Sequence, residues 1–137
     1  MPEVAWYAVY LVVKYLAYAL WCYAGILWLA PATRRPISRA ALLGLGRLVL
    51  GIGIGIFIFF AALSMNNATR SAPLTYAAVY VPVRVAEWLL WHGLVAGRPR
   101  DVRSVLWILG GVVVSCAADA PLGIMEGGIV PVGRPFC

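Results

Sequence analysis

The sequence has little of what soluble enzymes use for chemistry. It contains one histidine, one lysine and five acidic residues, and its three cysteines, Cys22, Cys116 and Cys137, stand far apart. Without a C-x-x-C spacing, these cysteines indicate neither a zinc site nor a redox pair, and we expect no metal and no cofactor. G-x-G-x-x-G and Walker A patterns are also missing, so nucleotide binding has no support.

Apolar residues are what the sequence has in abundance. They make up 64% of the 137 residues, and the mean hydropathy is +0.90, outside the range of soluble globular proteins. The formal charge of +6 reports membrane topology in such a chain, so nucleic acid is not an expected partner. The first charged residue is the acidic Glu3, and a basic n-region is missing, which favours a first spanning helix over a cleaved signal. We predict one domain of 137 residues with the lipid bilayer as its solvent.

Four apolar segments are long enough to cross a hydrocarbon core of about 30 Å at about 1.5 Å per residue. They cover about residues 5–29, 39–63, 74–96 and 102–124. Pro31 and Pro36 close the first loop, and Pro121 is expected to bend or end the fourth helix. The predicted fold is all-α, an integral membrane four-helix bundle with antiparallel neighbours and an irregular external tail at 125–137.

Basic residues near the segment ends predict the orientation. Six arginines flank the first and third loops, against two in the second loop and tail: Arg34, Arg35, Arg39, Arg98, Arg100 and Arg103, against Arg70 and Arg134. The positive-inside rule therefore places the first and third loops in the cytoplasm and both termini on the outer side. The expected location is the inner, or plasma, membrane of a bacterium. The second loop holds Asn67-Ala68-Thr69, a glycosylation signal only in a eukaryotic host.

The third apolar segment carries charges where a membrane helix is normally hydrocarbon. Tyr80, Arg84, Glu87 and Trp91 follow one another at i, i+4, i+7 and i+11, so they share one helix face. A charge at bilayer depth costs several kcal/mol unless it is paired or hydrated, so such residues are candidates for a functional site. The single histidine, His92, is placed near the cytoplasmic edge in an aromatic belt.

Each of the other three segments also carries an ionisable residue. Lys14 lies on an aromatic face of the first segment, and either snorkels outward or joins an internal network. Arg47 lies on a glycine stripe of the second segment. Ser115 and Asp119 share a face of the fourth segment with Gly111, at i, i+4 and i+8.

The predicted depths of these charges bring them within reach of one another. At about 1.5 Å per residue, Asp119, Lys14 and Arg84 lie about 8, 12 and 15 Å below the outer edge, and Glu87 and Arg47 about 20 and 24 Å below it. In a bundle the polar stripes converge, giving a column of three bases and two acids. This column is an ion-pair network that fixes helix register, an anion-binding cavity that opens outward, or a proton or ion path.

The second segment also contains glycines at G-x-x-x-G spacing, Gly51 and Gly55. This motif permits close packing within the chain or against a second copy of it. The alternation of Gly and Ile around these residues has the period of a strand. A lone strand leaves its backbone unsatisfied in lipid, so a helix is predicted.

We expect a non-enzymatic binding or transport component that holds an anionic lipid or a small anionic ligand, in a homo-oligomer or a larger membrane complex. Guanidinium groups suit phosphate and carboxylate because they bind them bidentately. The predicted ligand-binding residues are Arg84, Glu87, Arg47, Asp119, Lys14, Tyr80 and Ser115. The alternative is a lipid-modifying enzyme, in which two arginines hold a lipid phosphate and Glu87 and Asp119 act as acid and base. A structural spacer without a ligand is the third hypothesis.

Overall fold

The computed structural model describes residues 2–97 and 101–125, and the regular structure in that part of the chain is all helical. Helix α1 is Pro2–Leu29 and α2 is Pro36–Thr69. Helix α3 covers residues 72–96 without a break and comprises Ala72–Thr75, a π-helical turn at Tyr76–Tyr80, and Val81–Ala96. Helix α4 is Val102–Met125. The prediction of an all-α fold with four helices is confirmed.

Among the described residues, three helices contain segments long and apolar enough to cross a membrane, namely Ala5–Leu29, Pro36–Met65 and Val102–Leu122. Large apolar side chains on their surfaces are exposed, including Leu20, Phe57 and Val113. Such a surface suits acyl chains rather than water. These properties indicate an integral membrane protein. The longest purely α-helical part of α3 has 16 residues, because the π-helical turn interrupts it.

The bounds of α2 differ most from the prediction, which gave 39–63. Pro36 occupies the first position of the helix, where its missing N–H has no intrahelical partner to lose. The helix also continues through the polar residues to Thr69, which the sequence analysis assigned to a loop, so the glycosylation signal lies in the last helical turn. The loop that follows is reduced to residues 70–71, with Arg70 in the left-handed region at φ 53°.

The fourth helix does not end at Pro121, since it continues to Met125. The predicted external tail lies almost wholly outside the described residues, as do Arg98, Arg100 and Arg134.

Contacting side chains show how the helices pack. Helix α1 contacts each of the other three, and α3 packs along α4. Helix α1 packs most closely against α2 at Ala19 and Gly44, where a Cβ at Gly44 would stand 2.7 Å from the Ala19 Cα. Helices α1 and α4 are antiparallel, because Trp21 packs over Gly110 and Trp107 packs over Gly25. Antiparallel packing of every neighbouring pair stays a prediction.

Two tryptophans join α1 to α4 reciprocally. The indole N–H of Trp21 donates to the carbonyl of Trp107, and the indole N–H of Trp107 donates to the carbonyl of Trp21, both at 3.1 Å. The Trp21 ring covers Gly110 and the Trp107 ring covers Gly25, so closely that a Cβ on either glycine would overlap the indole. Each glycine thus makes room for a ring from the opposite helix.

The same arrangement joins α3 to its neighbours. The Trp88 indole lies over Gly111 of α4 and donates to Ser115 Oγ at 2.9 Å. The Trp91 indole lies near Gly46 of α2 and donates to the Leu43 carbonyl at 3.1 Å. A buried indole N–H needs an acceptor, and here each finds one across a helix interface.

We expect Gly110→Ala to destabilise the protein, because the new methyl group would overlap the Trp21 ring. Overpacking of this kind costs about 1–3 kcal/mol. The matched control is Gly53→Ala, since a Cβ there meets nothing within 4 Å. Unfolding in detergent, followed by tryptophan fluorescence, measures both variants. Equal stability of the two variants would contradict the packing described here.

Candidate functional site

The π-helical turn in α3 has a local cause in the sequence. Pro82 has no N–H to donate, and its ring would meet the carbonyl four residues earlier in a regular α-helix. The ladder opens instead, and Val81 N–H bonds to the carbonyl of Tyr76, five residues back. Tyr76 and Tyr80 are both buried and stack with ring centroids 5.1 Å apart. The turn thereby aims Tyr76 at the same partner as Arg84, which is Asp119.

Five charged side chains form one chain of alternating sign that includes a residue from each helix. Its order is Lys14, Asp119, Arg84, Glu87 and Arg47, with successive N–O distances of 2.6, 3.3, 3.3 and 2.5 Å. All five side chains are at most 3% exposed. The predicted convergence of the polar faces of the four helices is confirmed by these ion pairs. We refer to this set as the charged chain.

The Asp119 end of the charged chain is fully hydrogen-bonded. Oδ1 accepts from Lys14 Nζ at 2.6 Å and from the Tyr10 hydroxyl at 3.0 Å. Oδ2 accepts from the Tyr76 hydroxyl at 2.9 Å and from Arg84 Nη2 at 3.3 Å. A carboxylate has about four acceptor positions, and all four are used here. Asp119 therefore ties α1, α3 and α4 together, and Lys14 joins the internal network rather than snorkelling outward.

The Arg47 end of the charged chain is less completely satisfied. The guanidinium lies between the rings of Tyr18 and Trp88, with centroids 4.9 and 5.4 Å from Cζ. Its Nη2 donates to Glu87 Oε2, whereas Nε and Nη1 have no partner among the described residues. Arg84 also donates to Glu87 Oε2. Both of these hydrogen bonds to Glu87 thus end on Oε2.

The charged chain has one more base than acid, and the distances locate this excess at Arg84. Lys14 with Asp119 and Arg47 with Glu87 are close pairs, at 2.6 and 2.5 Å. Both bonds of Arg84 are 3.3 Å, longer than the 2.7–2.9 Å typical of charge-assisted bonds. Arg84 is thus shared weakly between two carboxylates that are already neutralised.

Gly51 and Gly55 face the interior of the protein, and both are buried. A Cβ at Gly51 would stand 3.2 Å from Arg47 Nη1 and 3.7 Å from Arg84 Nη1. Gly51 therefore makes room for two guanidinium groups inside the chain. This geometry agrees with the helix-packing interpretation of the G-x-x-x-G motif.

The remaining predicted residues lie beside the charged chain rather than in it. Ser115 is buried and accepts the Trp88 indole N–H, and Tyr80 is buried against Tyr76. The His92 side chain is only 2% exposed and its ring centroid lies 6.4 Å from that of Trp107, so it packs inside the protein, and its predicted place near the cytoplasmic edge stays a prediction.

Sequence reasoning missed the roles of four aromatic residues at this site. Tyr10 and Tyr76 donate to Asp119, and Tyr18 and Trp88 flank Arg47. The spacing of Tyr10 and Tyr18 around Lys14 was the available signal, because all three fall on one face of α1.

A cavity of about 240 Å³ borders Glu87, which lies next to Arg47 in the charged chain. It is lined by residues of α2 and α3: Leu50, Ile54, Val83, Ala86, Glu87 and Leu90. Of these, Ala86 and Leu90 are exposed on the apolar outer surface. The cavity therefore opens between two helices, on their apolar outer surface.

We expect Asp119→Asn to lower the free energy of unfolding by about 3–5 kcal/mol, because it leaves Lys14 and Arg84 buried without their shared carboxylate. Adding Lys14→Met restores the wild-type excess of one base, so the double variant should recover much of this loss. Denaturant unfolding in detergent measures the coupling.

The control for this cycle is Asp101→Asn. Asp101 accepts from Ser104 N and Oγ at 2.8 Å at the start of α4, a cap that asparagine also provides. This variant should stay near wild-type stability. Additive effects of Asp119→Asn and Lys14→Met would show that the two residues are not paired.

Comparison with protein-family models, with curated proteins and with solved structures finds no match for this chain. Its function is therefore inferred from the chemistry of these residues.

Proposed function

We propose that this protein is a non-enzymatic membrane component that binds the anionic headgroup of a lipid at Arg84 and Arg47, as part of a homo-oligomer or a larger membrane assembly. The observation that carries the proposal is the excess base at Arg84, which is held by two bonds of 3.3 Å to carboxylates that each already form a closer ion pair. A buried positive charge without its own counter-ion is costly in a bilayer. An anionic ligand supplies that counter-ion.

Unpaired polar atoms around Arg84 support this proposal. Arg47 Nε and Nη1, Arg84 Nε and the Tyr18 hydroxyl are buried and have no partner among the described residues. Such atoms lose hydrogen-bonding free energy until an acceptor reaches them. Guanidinium donors fit the oxygens of phosphate, so a phosphate headgroup satisfies both the charge and the donors.

The acid–base scheme of a lipid-modifying enzyme has less support. All acceptor positions of Asp119 are occupied by Lys14, Tyr10, Tyr76 and Arg84. A general base needs a free lone pair within reach of its substrate. The scheme therefore loses Asp119, one of its two acid–base groups, and we favour binding.

The proposal includes a topology with four spans and both termini outside. Residues 72–96 extend about 36 Å at about 1.5 Å per residue, which is enough to cross the hydrocarbon core. The charges of α3 are buried, while Leu90 and Leu94 are exposed. The distribution of arginines between the loops supports the orientation.

Replacement of Arg84 tests the binding site. In phosphatidylcholine nanodiscs doped with phosphatidylglycerol, the wild type should retain phosphatidylglycerol, as measured by native mass spectrometry after release into detergent. Arg84→Gln should reduce this retention about 10- to 100-fold, the loss of one or two charge-assisted bonds. The fold should survive, since both close ion pairs remain.

The matched control is Arg103→Gln, which removes the same charge from an exposed position at the start of α4. It should leave retention unchanged. Equal retention by the wild type and Arg84→Gln would refute the proposed site.

Cysteine labelling tests the topology. In a variant without the native cysteines, Asn67→Cys should react with an impermeant maleimide applied to intact cells. Ala32→Cys should react only after the membrane is permeabilised. Both positions are exposed. The reverse labelling pattern would invert the proposed orientation.

A further inference from the structure

The cavity between α2 and α3 exists because these two helices approach each other unevenly. Along residues 72–80, α2 packs directly against α3. Along Val81–Ala96 the connection is made by long side chains: Arg47 reaches Glu87, and the Trp91 indole reaches the Leu43 carbonyl. A gap bridged by side chains leaves a cleft between the backbones, and this cleft is the cavity of about 240 Å³.

The walls of this cleft are apolar except at one place. Leu50 and Ile54 line it from α2, and Val83, Ala86 and Leu90 line it from α3. Glu87 is the charged residue of the lining. An acyl chain packs well against such apolar walls, whereas water finds few hydrogen-bond partners there. The cleft therefore leads from the lipid-facing surface to Glu87 of the charged chain.

The two carboxylate oxygens of Glu87 differ in their hydrogen bonding. Oε2 accepts from both Arg47 Nη2 and Arg84 Nη1. Neither bond uses Oε1 of the same carboxylate, and Glu87 is the residue that brings a carboxylate to the cavity wall. An unsatisfied carboxylate oxygen beside hydrocarbon is costly, so this position calls for a hydrogen-bond donor. The two arginines that bond Glu87 also carry N–H groups without a partner among the described residues, Arg47 Nε and Nη1 and Arg84 Nε, and these call for an acceptor with negative charge.

We propose that the ligand is an anionic lipid with a hydroxyl group on its head, and that it enters sideways from the bilayer through the cleft between α2 and α3. The phosphate accepts from Arg84 and Arg47, and the hydroxyl donates to Glu87 Oε1. One acyl chain lies along the apolar walls while the rest of the lipid stays in the bilayer. This inference rests on the proposed function and adds to it the route and the headgroup chemistry.

Filling the cleft tests the route. Ala86→Trp places a large ring in it and should lower phosphatidylglycerol retention at least about tenfold in the nanodisc measurement described above. Ala117→Trp puts the same ring on an exposed alanine of α4, away from the cleft, and should retain the lipid like the wild type. If Ala86→Trp does not fold, Leu90→Trp replaces it, since Leu90 lines the same cleft.

The headgroup is tested with two further probes. Phosphatidylmethanol has the charge and tails of phosphatidylglycerol but no hydroxyl, and should be retained about tenfold less well, the effect of one hydrogen bond to a charged group. Inorganic phosphate, which comes from water, should not displace bound phosphatidylglycerol.

Each result separates the two proposals. Unchanged retention by Ala86→Trp, or displacement by inorganic phosphate, would overturn the lateral route, and the loss in Arg84→Gln would still support the proposed function. Equal retention of phosphatidylglycerol and phosphatidylmethanol would overturn the hydroxyl contact with Glu87. If the wild type does not prefer phosphatidylglycerol to phosphatidylcholine, the proposed function itself fails.

Discussion

The pairing of buried charges is the constraint on which the rest of this structure depends. A base or an acid alone in hydrocarbon is costly, and this chain places five of them there. Alternating signs solve the problem only if all four helices keep their register, because each helix supplies at least one member. The odd number of charges leaves one base in excess, so the interaction that fixes the fold also creates the demand for an anion.

Side chains, rather than backbones, determine how tightly each pair of helices packs. Trp21 packs over Gly110 and Trp107 packs over Gly25, and the two indoles hold α1 to α4 by reciprocal hydrogen bonds. Gly44 lets α2 approach α1 closely. Between α2 and the second part of α3, Arg47 and Trp91 span a wider gap. One side of the molecule is therefore closely packed, and the side that borders Glu87 is open to lipid.

Hydrophobicity and helical periodicity were sufficient to predict the helices and the meeting of the charges. Lys14, Arg47 and Asp119 face inward because lipid excludes them, and that argument needs no coordinates. Periodicity could not show that Asp119 uses all four acceptor positions while both arginine bonds to Glu87 end on one oxygen, since this depends on ångström-scale distances. It also missed the extension of α2, because residues 64–69 are polar, and the burial of His92, because an interfacial and a buried ring follow the same pattern.

The π-helical turn at Tyr76–Tyr80 has a consequence for the rotational phase of α3. In an uninterrupted α-helix, Tyr76 and Arg84 would point about 80° apart, since each residue advances the helix by about 100°. A single extra residue in the wide turn reduces this angle to about 20°, so both side chains meet Asp119. Pro82 carries no charge and touches no ligand in this scheme. Through this turn it nevertheless determines whether the Asp119 carboxylate on α4 has four hydrogen-bond donors or three.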